Sequence, residues 1–448
     1  MNNAQNHHFT VIIPTRERSD TLQHALHTCV IQDYDNLEIL ISDNFSQDHT
    51  REVVESYKDS RIRYINTGKR LSMTDNFEFA LLHIQPKGYV IYIGDDDGFL
   101  PNAIRDINAV IVETGTQVLR WDPATYWWPM ADSNRANQLF IYSLGSGTTV
   151  RKSAIMIQDV LSFREGPQFL PLMYTNSVID YEVIRKIKIK DASGRLYHSR
   201  VPDAYIAFAI AGTVDSFVNS RRPYALVGIS HHSSGQSTAG FSSTGPAIKF
   251  LAEDNLPYHS SLVFCLSHYQ CFIESFLQAR DYLPFLRKFT VDMEKLAFLM
   301  MNEAAPKAQD IYMSTKNAVL HLGKMYNISE AVQRAIAANP KRELGYGRKP
   351  TIRNIGSAGL YLARLFIQDL CRSSLRLDCS YLNVKNIYDA SLLCDHILRL
   401  KAMNVIGLSA VLKSSLVNIK RIVAPTEQNS MRQVSREIVG NRSVDDRR

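Results

Sequence analysis

Tyr89-Val90-Ile91-Tyr92-Ile93-Gly94-Asp95-Asp96-Asp97-Gly98-Phe99-Leu100-Pro101 decides how this chain is read. An apolar, β-prone run meets three carboxylates, then a glycine, then a proline placed to open a helix. A short apolar run bounded by turn residues predicts a fully buried strand. Acids at its carboxyl end stand where open α/β sheets place their ligands. Three adjacent carboxylates repel one another, so the arrangement is costly unless something cationic sits among them. A hard divalent cation with oxygen ligands, shared with substrate phosphates, is one reading. A solvated acidic turn is the other, and the flanking sequence has to choose.

Upstream, Phe9-Thr10-Val11-Ile12-Ile13-Pro14-Thr15 reads as a buried strand, followed by Ser19 as an N-cap for an amphipathic helix over residues 21–31. Leu37-Glu38-Ile39-Leu40-Ile41-Ser42 is a second strand closed by Asp43-Asn44, with Ser46 or Asp48 to cap the next helix. Residues 61–65 give a third strand and 72–84 a third helix. Strands alternating with helices at this spacing imply βαβ units and a mostly parallel sheet. Right-handed crossovers then bring Thr15, Asp43 and Asp95 to Asp97 to one edge of that sheet. Downstream, Pro101 opens a helix to residue 113, Val118-Leu119-Arg120-Trp121 is a fifth strand, and residues 178–189 read as helix. Tyr126-Trp127-Trp128-Pro129 holds two of the three tryptophans, as core or as a stacking surface for a ring.

With 448 residues, 45% hydrophobic and 21% charged, the chain has the make-up of a globular protein of more than one domain. A net charge of +7 suits an anionic substrate or membrane surface and does not call for nucleic acid. Six cysteines without a Cys-x-x-Cys pair favour free thiols in a reducing compartment. The polar start and the lack of an apolar run of about 18 residues predict a cytoplasmic protein, peripheral at most to the inner face of a membrane. Residues 230–246 are rich in Ser, Gly and Thr and read as a mobile loop or linker. Beyond it, helical patterns follow one another at 261–279, 286–304, 311–326, 329–338, 352–370, 386–400 and 405–422. The expected division is residues 1–240 as an α/β domain, 241–425 as a mainly α-helical domain and 426–448 as a polar tail.

A nucleoside diphosphate at the sheet edge would share a metal with the acidic trio, and the metal would carry charge developing on the leaving phosphates. Asp43 is placed to accept from a base or ribose, unless it only flanks a turn. Thr15 and Arg16 follow the first strand and can contact the nucleotide. Transfer to a hydroxyl also needs a general base. Asp203, at the head of an apolar helix, fits that role or the commoner one of helix cap. His231 and His232 either close over the phosphates and give the metal a nitrogen ligand, or lie on the surface.

With these pieces in order, the chain resembles the family 2 glycosyltransferases, enzymes of the GT-A fold that use nucleotide-sugars. The resemblance rests on Val11-Ile12-Ile13-Pro14-Thr15-Arg16-Glu17-Arg18, on Glu38-Ile39-Leu40-Ile41-Ser42-Asp43-Asn44-Phe45-Ser46-Gln47-Asp48, on Met73-Thr74-Asp75-Asn76-Phe77-Glu78-Phe79-Ala80-Leu81 and on Ile93-Gly94-Asp95-Asp96-Asp97-Gly98. It implies that Pro14, Thr15, Arg16, Asp43, Asn76, Asp95 and Asp96 meet the nucleotide-sugar. It implies that Asp95 to Asp97 supply an Asp-x-Asp metal motif with Mg or Mn on Asp97, and an inverting transfer; with the residue reading above, Asp97, Asp95 and His231 are the expected metal ligands. The acceptor would be a glycan or lipid-linked, in cell-surface polysaccharide synthesis. The Glu-Asp pair and the Gln-x-x-Arg-Trp motif of many members are missing, so Asp203 takes the base position by sequence order alone. The helical half is open between acceptor binding, self-association and membrane contact through basic residues such as Lys341, Arg342, Arg348, Lys349 and Lys413. Two rivals stand beside this reading: a nucleotidyltransferase that makes nucleotide-sugars, and a scaffold that keeps the fold without turnover.

Overall fold

The computed structural model describes residues 6–131, 135–190, 193–233, 253, 256–342, 374–380 and 382–402. Strands β1 (Phe9–Thr15), β2 (Leu37–Asp43), β3 (Ile62–Asn66) and β4 (Tyr89–Tyr92) alternate with helices α1 (Ser19–Val30), α2 (Thr50–Ser56) and α3 (Met73–Leu82). After β5 (Gly98–Phe99) come α4 (Ala103–Thr114), β6 (Val118–Trp121), β7 (Ala124–Trp127), β8 (Gln138–Ile141) and β9 (Thr148–Lys152). Then follow α5 (Ser153–Leu161), β10 (Ser177–Asp180), α6 (Tyr181–Lys188), α7 (Pro202–Thr213), β11 (Ser216–Ser220) and β12 (Ala225–Ile229).

The main sheet has eight strands in the order β3-β2-β1-β4-β10-β6-β11-β9. Strands β3, β2, β1 and β4 are parallel, as βαβ units require, whereas β10 and β9 run antiparallel to their neighbours. This is the mostly parallel α/β architecture that the alternating pattern implies. Strands β1, β2 and β4 are buried along almost their whole length because helices cover both faces. Phe77, Ile184 and Phe208 pack on one face, and Leu26, Ile104 and Ile107 on the other. A second sheet of five strands, β13-β8-β7-β12-β5, lies against the latter face, with β13 at Leu375–Asp378. Sequence periodicity gave no sign of it, since its strands are short and come from distant parts of the chain.

Helix α7 is buried almost throughout, from Ala204 to Ala211. A helix apolar all round has to be covered on all sides. The sheet covers one side, and α8 (His268–Tyr282), α9 (Met293–Ala304), α10 (Gln309–Met325) and α11 (Ser329–Ala338) build outward from the other as part of the same core. Gly212 permits that contact: a Cβ there would lie 2.3 Å from the Phe285 ring. Helix α12 (Ile387–Ala402) returns to the opposite face, where Ile387 and Cys394 join the core around α1.

Several expected boundaries move, each for a local reason. Residues 178–180 are strand rather than helix, because Val178 and Ile179 are buried between β4 and β6 while Asp180 caps α6 by accepting from Glu182 N at 2.9 Å. Ser19 does not cap α1 but is its first residue, and its amide donates to Asp48 Oδ2 at 2.9 Å. Pro101 lies in a turn ahead of α4, which starts after Asn102 in the left-handed region (φ 61°). Asp292 and Ser267 cap α9 and α8, so these helices begin later than hydrophobic spacing suggests. The expected helices at 352–370 and 405–422, the boundary near residue 241, the tail and most of the named basic residues lie outside the described residues.

Candidate functional site

The register of the sheet aligns Thr15 with Asp43 and Ile12 with Tyr92, so β1, β2 and β4 end at one edge. Ile93 N donates to Ile12 O at 3.0 Å, and the chain then turns, with Asp97 N on Gly94 O at 3.1 Å. All three aspartates are buried. Asp95 accepts from Thr15 Oγ1 at 2.9 Å and from Arg18 Nη1 at 3.0 Å. Asp96 Oδ2 accepts from the hydroxyls of Ser230 and Ser233, both at 2.6 Å, while its carbonyl takes the Trp128 indole N–H at 3.1 Å. Asp97 is clasped by Gly228 N at 2.8 Å, Gly94 N at 2.8 Å and Thr175 Oγ1 at 2.5 Å. The second sheet thus reaches the edge through β12, and the close approach depends on Gly228. A Cβ there would stand 1.7 Å from the Asp96 carbonyl oxygen.

Charge is concentrated in this turn. Burial, then the neighbouring Asp96, pushes the Asp97 carboxyl up to about 7, against the opposing hydrogen bonds of Thr175, Gly228 and Gly94. Burial and Asp96 raise Asp95 as well, while Arg18 and Thr15 oppose the rise. Burial alone would lower the Arg18 pKa, but Asp95 and Asp96 outweigh it and hold the guanidinium firmly charged. Tyr174 is raised well above its ordinary value by burial and then by all three aspartates and Asp203. Its hydroxyl stands over Gly94, where a Cβ would meet it at 2.5 Å. Among the described residues, Arg18 is the one cation that pairs with the trio, so negative charge is left over. An all-oxygen donor set carrying excess charge suits Mg or Mn. Asp96 Oδ1 takes no hydrogen bond from the described residues, whereas Asp97 could ligate an ion only by giving up part of its clasp.

The other expected residues divide into those at the edge and those beneath it. Pro14 and Thr15 end β1 beside the trio. Asp43 is buried and already occupied, by Ser46 N at 3.0 Å, Tyr64 Oη at 2.5 Å and Asn66 Nδ2 at 2.8 Å. Asn76 is buried too and ties α3 to β2 by accepting from Ser42 Oγ at 2.8 Å. Arg16 pairs with Glu253 at 2.8 Å, which also holds Arg70 at 3.2 Å. Asp203 lies in the first turn of α7, after Pro202, and accepts from Ala204 N at 2.9 Å. Burial raises its pKa, and no cation among the described residues pairs with it. The structure groups His231 with Asp20 and His232 rather than with Asp97.

Sequence reasoning gave no role to Arg18, Thr175, Tyr174, Ser230, Ser233 or Gly228. Arg18 could have been found, being one turn of chain beyond β1. The others come from β10 and β12 neighbourhoods whose pairing with the acidic turn is purely tertiary.

Fold and site together define a doubly wound α/β protein with its polar cluster at the carboxyl edge, where proteins of this class bind ligands. Residues 10–160 match the family model described as glycosyl transferase family 2. A curated relative from Campylobacter jejuni, GalNAc(5)-diNAcBac-PP-undecaprenol beta-1,3-glucosyltransferase, is 33% identical over 98 residues, 21% of this chain. The match spans 31% of that relative's length. Among solved structures, S. aureus TarS 1-349 in complex with UDP-GlcNAc aligns at 12% identity and a TM-score of 0.43, over 74% of this chain and 91% of that one. Mannosyltransferase PcManGT from Pyrobaculum calidifontis, in complex with GDP-Man and Mn2+, aligns at 12% identity and a TM-score of 0.35, over 75% and 86%.

Proposed function

We propose that this chain is an inverting glycosyltransferase that moves a sugar from a nucleoside-diphosphate donor to a hydroxyl of a glycan or lipid-linked acceptor, in cell-surface polysaccharide synthesis. The observation that carries the proposal is the convergence of Asp95, Asp96 and Asp97 with Thr15 and Arg18 at the edge of a family 2 domain. The Campylobacter relative, whose name specifies an undecaprenol-linked substrate, supports the lipid-linked arm.

In this reading Asp95, Asp96 and Asp97 would hold Mg or Mn, which would supply positive charge against the phosphates of the donor. Arg18 keeps Asp95 ionised and oriented. Asp43, already fixed by Tyr64 and Asn66, borders the nucleotide with Thr15 and Pro14. Arg16, released from Glu253, is free to meet the donor. Asp203 accepts the proton of the incoming hydroxyl. Its raised pKa, with no cationic partner among the described residues, favours a proton acceptor over a structural anion. The acceptor oxygen attacks the anomeric carbon, the bond from that carbon to the phosphate oxygen breaks, and the nucleoside diphosphate departs with the electron pair. A single in-line displacement inverts the centre.

Calorimetry with nucleoside diphosphates, with and without Mn2+, tests the binding step. Asp97→Ala should abolish metal-dependent nucleotide binding, whereas Asp203→Ala should keep binding and lose transfer. Transfer surviving in Asp203→Ala removes that residue from the base role. Pyrophosphate released from a sugar phosphate and a nucleoside triphosphate would move the protein to the nucleotidyltransferases. Absence of any Mn-dependent nucleotide binding would leave only the scaffold.

A further inference from the structure

Neighbouring residues of an extended chain project to opposite sides, yet His231 and His232 face the same way. Their rings lie 3.8 Å apart between centroids because residues 230–233 form a turn, closed by Ser233 N on Ser230 O at 3.2 Å. Both rings point at Asp20, in the first turn of α1. His232 Nε2 is 3.2 and 3.3 Å from the two Asp20 oxygens, and His231 Nε2 is 3.9 Å from one of them. One ligand atom from each side chain lies within 4.8 Å of the other two. Tetrahedral ligands bonded to zinc at ~2.0–2.2 Å stand roughly 3.3–3.6 Å apart, close to the separations from Asp20 found here.

We propose that Asp20, His231 and His232 form a second metal site, separate from the acidic trio and selective for a transition metal of the Zn2+ type. Two imidazoles and one carboxylate suit zinc or cobalt, whereas Mg2+ prefers the all-oxygen trio. Three protein ligands leave at least one position for water, and the side chains are 30% to 55% exposed, so an ion can enter from solvent. The site also has a mechanical consequence. The turn that carries both histidines holds Asp96 through Ser230 and Ser233, and the His232 carbonyl accepts from Arg18 Nη2 at 2.7 Å. An ion here fastens the exit of β12 to α1 directly over the acidic turn, so it latches the site without taking part in chemistry. The metal site itself does not depend on the proposed glycosyl transfer.

The test is titration of the metal-stripped full chain with Zn2+ by calorimetry and with Co2+ by its visible absorption. One equivalent should bind with nitrogen and oxygen ligation, besides any ion taken up by the acidic trio. Asp97→Asn should bind the same equivalent, because it alters only the trio. Asp20→Asn, His231→Ala and His232→Ala should each weaken binding by more than the ~10–100-fold typical of losing an outer-shell partner. All three positions are at least partly exposed, so these variants should fold, and a circular dichroism melt would verify it. Zn2+ binding unchanged in Asp20→Asn and His232→Ala, binding lost only in Asp97→Asn, or no binding at all would each overturn the proposal.

Discussion

Gly228→Ala should damage the site more than any other substitution of one methyl group. The new Cβ would lie 1.7 Å from the Asp96 carbonyl oxygen, 2.6 Å from its carbonyl carbon and 2.8 Å from Trp128 Nε1. Two of these atoms are backbone, so no side-chain rotation relieves the clash. Either β12 withdraws or the turn over residues 94–97 shifts. Both movements stretch the Gly228 N–H bond to Asp97 and the Trp128 N–H bond to Asp96. Overpacking a filled interior costs about 1–3 kcal/mol, and a hydrogen bond to a charged group is worth about 1.5–3 kcal/mol. The expected loss is therefore roughly 3–6 kcal/mol, a large part of the ~5–15 kcal/mol that stabilises a typical domain. Urea unfolding measures it, and calorimetry with Mn2+ and a nucleoside diphosphate reads the site separately. Gly323→Ala is the control. Its Cβ would meet the Val332 side chain at 3.3 Å, and the helix gains up to ~1 kcal/mol of propensity, so it should stay near wild type. A Gly228→Ala protein within ~0.5 kcal/mol of wild type, the range of ordinary surface substitutions, with unchanged nucleotide affinity, would refute the claim that β12 and the acidic turn are locked together.

Arg18→Ala should leave Asp95 buried and uncompensated. Because Arg18 keeps 26% side-chain exposure, the loss should fall below the ~3–5 kcal/mol of a fully buried pair, as chemical denaturation can measure. Since the folded Asp97 pKa is raised above its unfolded value, to about 7, the folded chain holds the extra proton between roughly pH 4 and pH 7. Stability therefore falls as pH rises through that window, because the unfolded chain gives up this proton first, and Asp97→Asn should flatten the dependence in melts taken from pH 5 to pH 8. By the same sign, Mn2+ affinity should fall as pH drops below 7, with proton competing against ion. Asp203→Asn should keep the fold and nucleotide affinity while transfer falls by the ~10²–10⁴-fold typical of a lost general base, read in single-turnover assays.

The alternation of apolar runs with amphipathic stretches, from Phe9 to Trp121, was enough to mark the strands and helices of the parallel half. Once β1, β2 and β4 are parallel, crossover handedness puts Thr15, Asp43 and Asp95 at one edge, so that part of the site was legible from spacing alone. An unbroken apolar run marked the helix behind Asp203, though the strand at Val178 was hidden because a short apolar run carries no period that separates strand from helix. Only the folded chain decided what each carboxylate touches. Asp97 is held by a strand more than a hundred residues away and Asp96 by the turn that follows it, as are the Asp20 and histidine positions. The physical reason is range. Periodicity and turn chemistry act over a few residues and are written locally, whereas hydrogen bonds and charge depend on distances in space that only packing of the whole core sets.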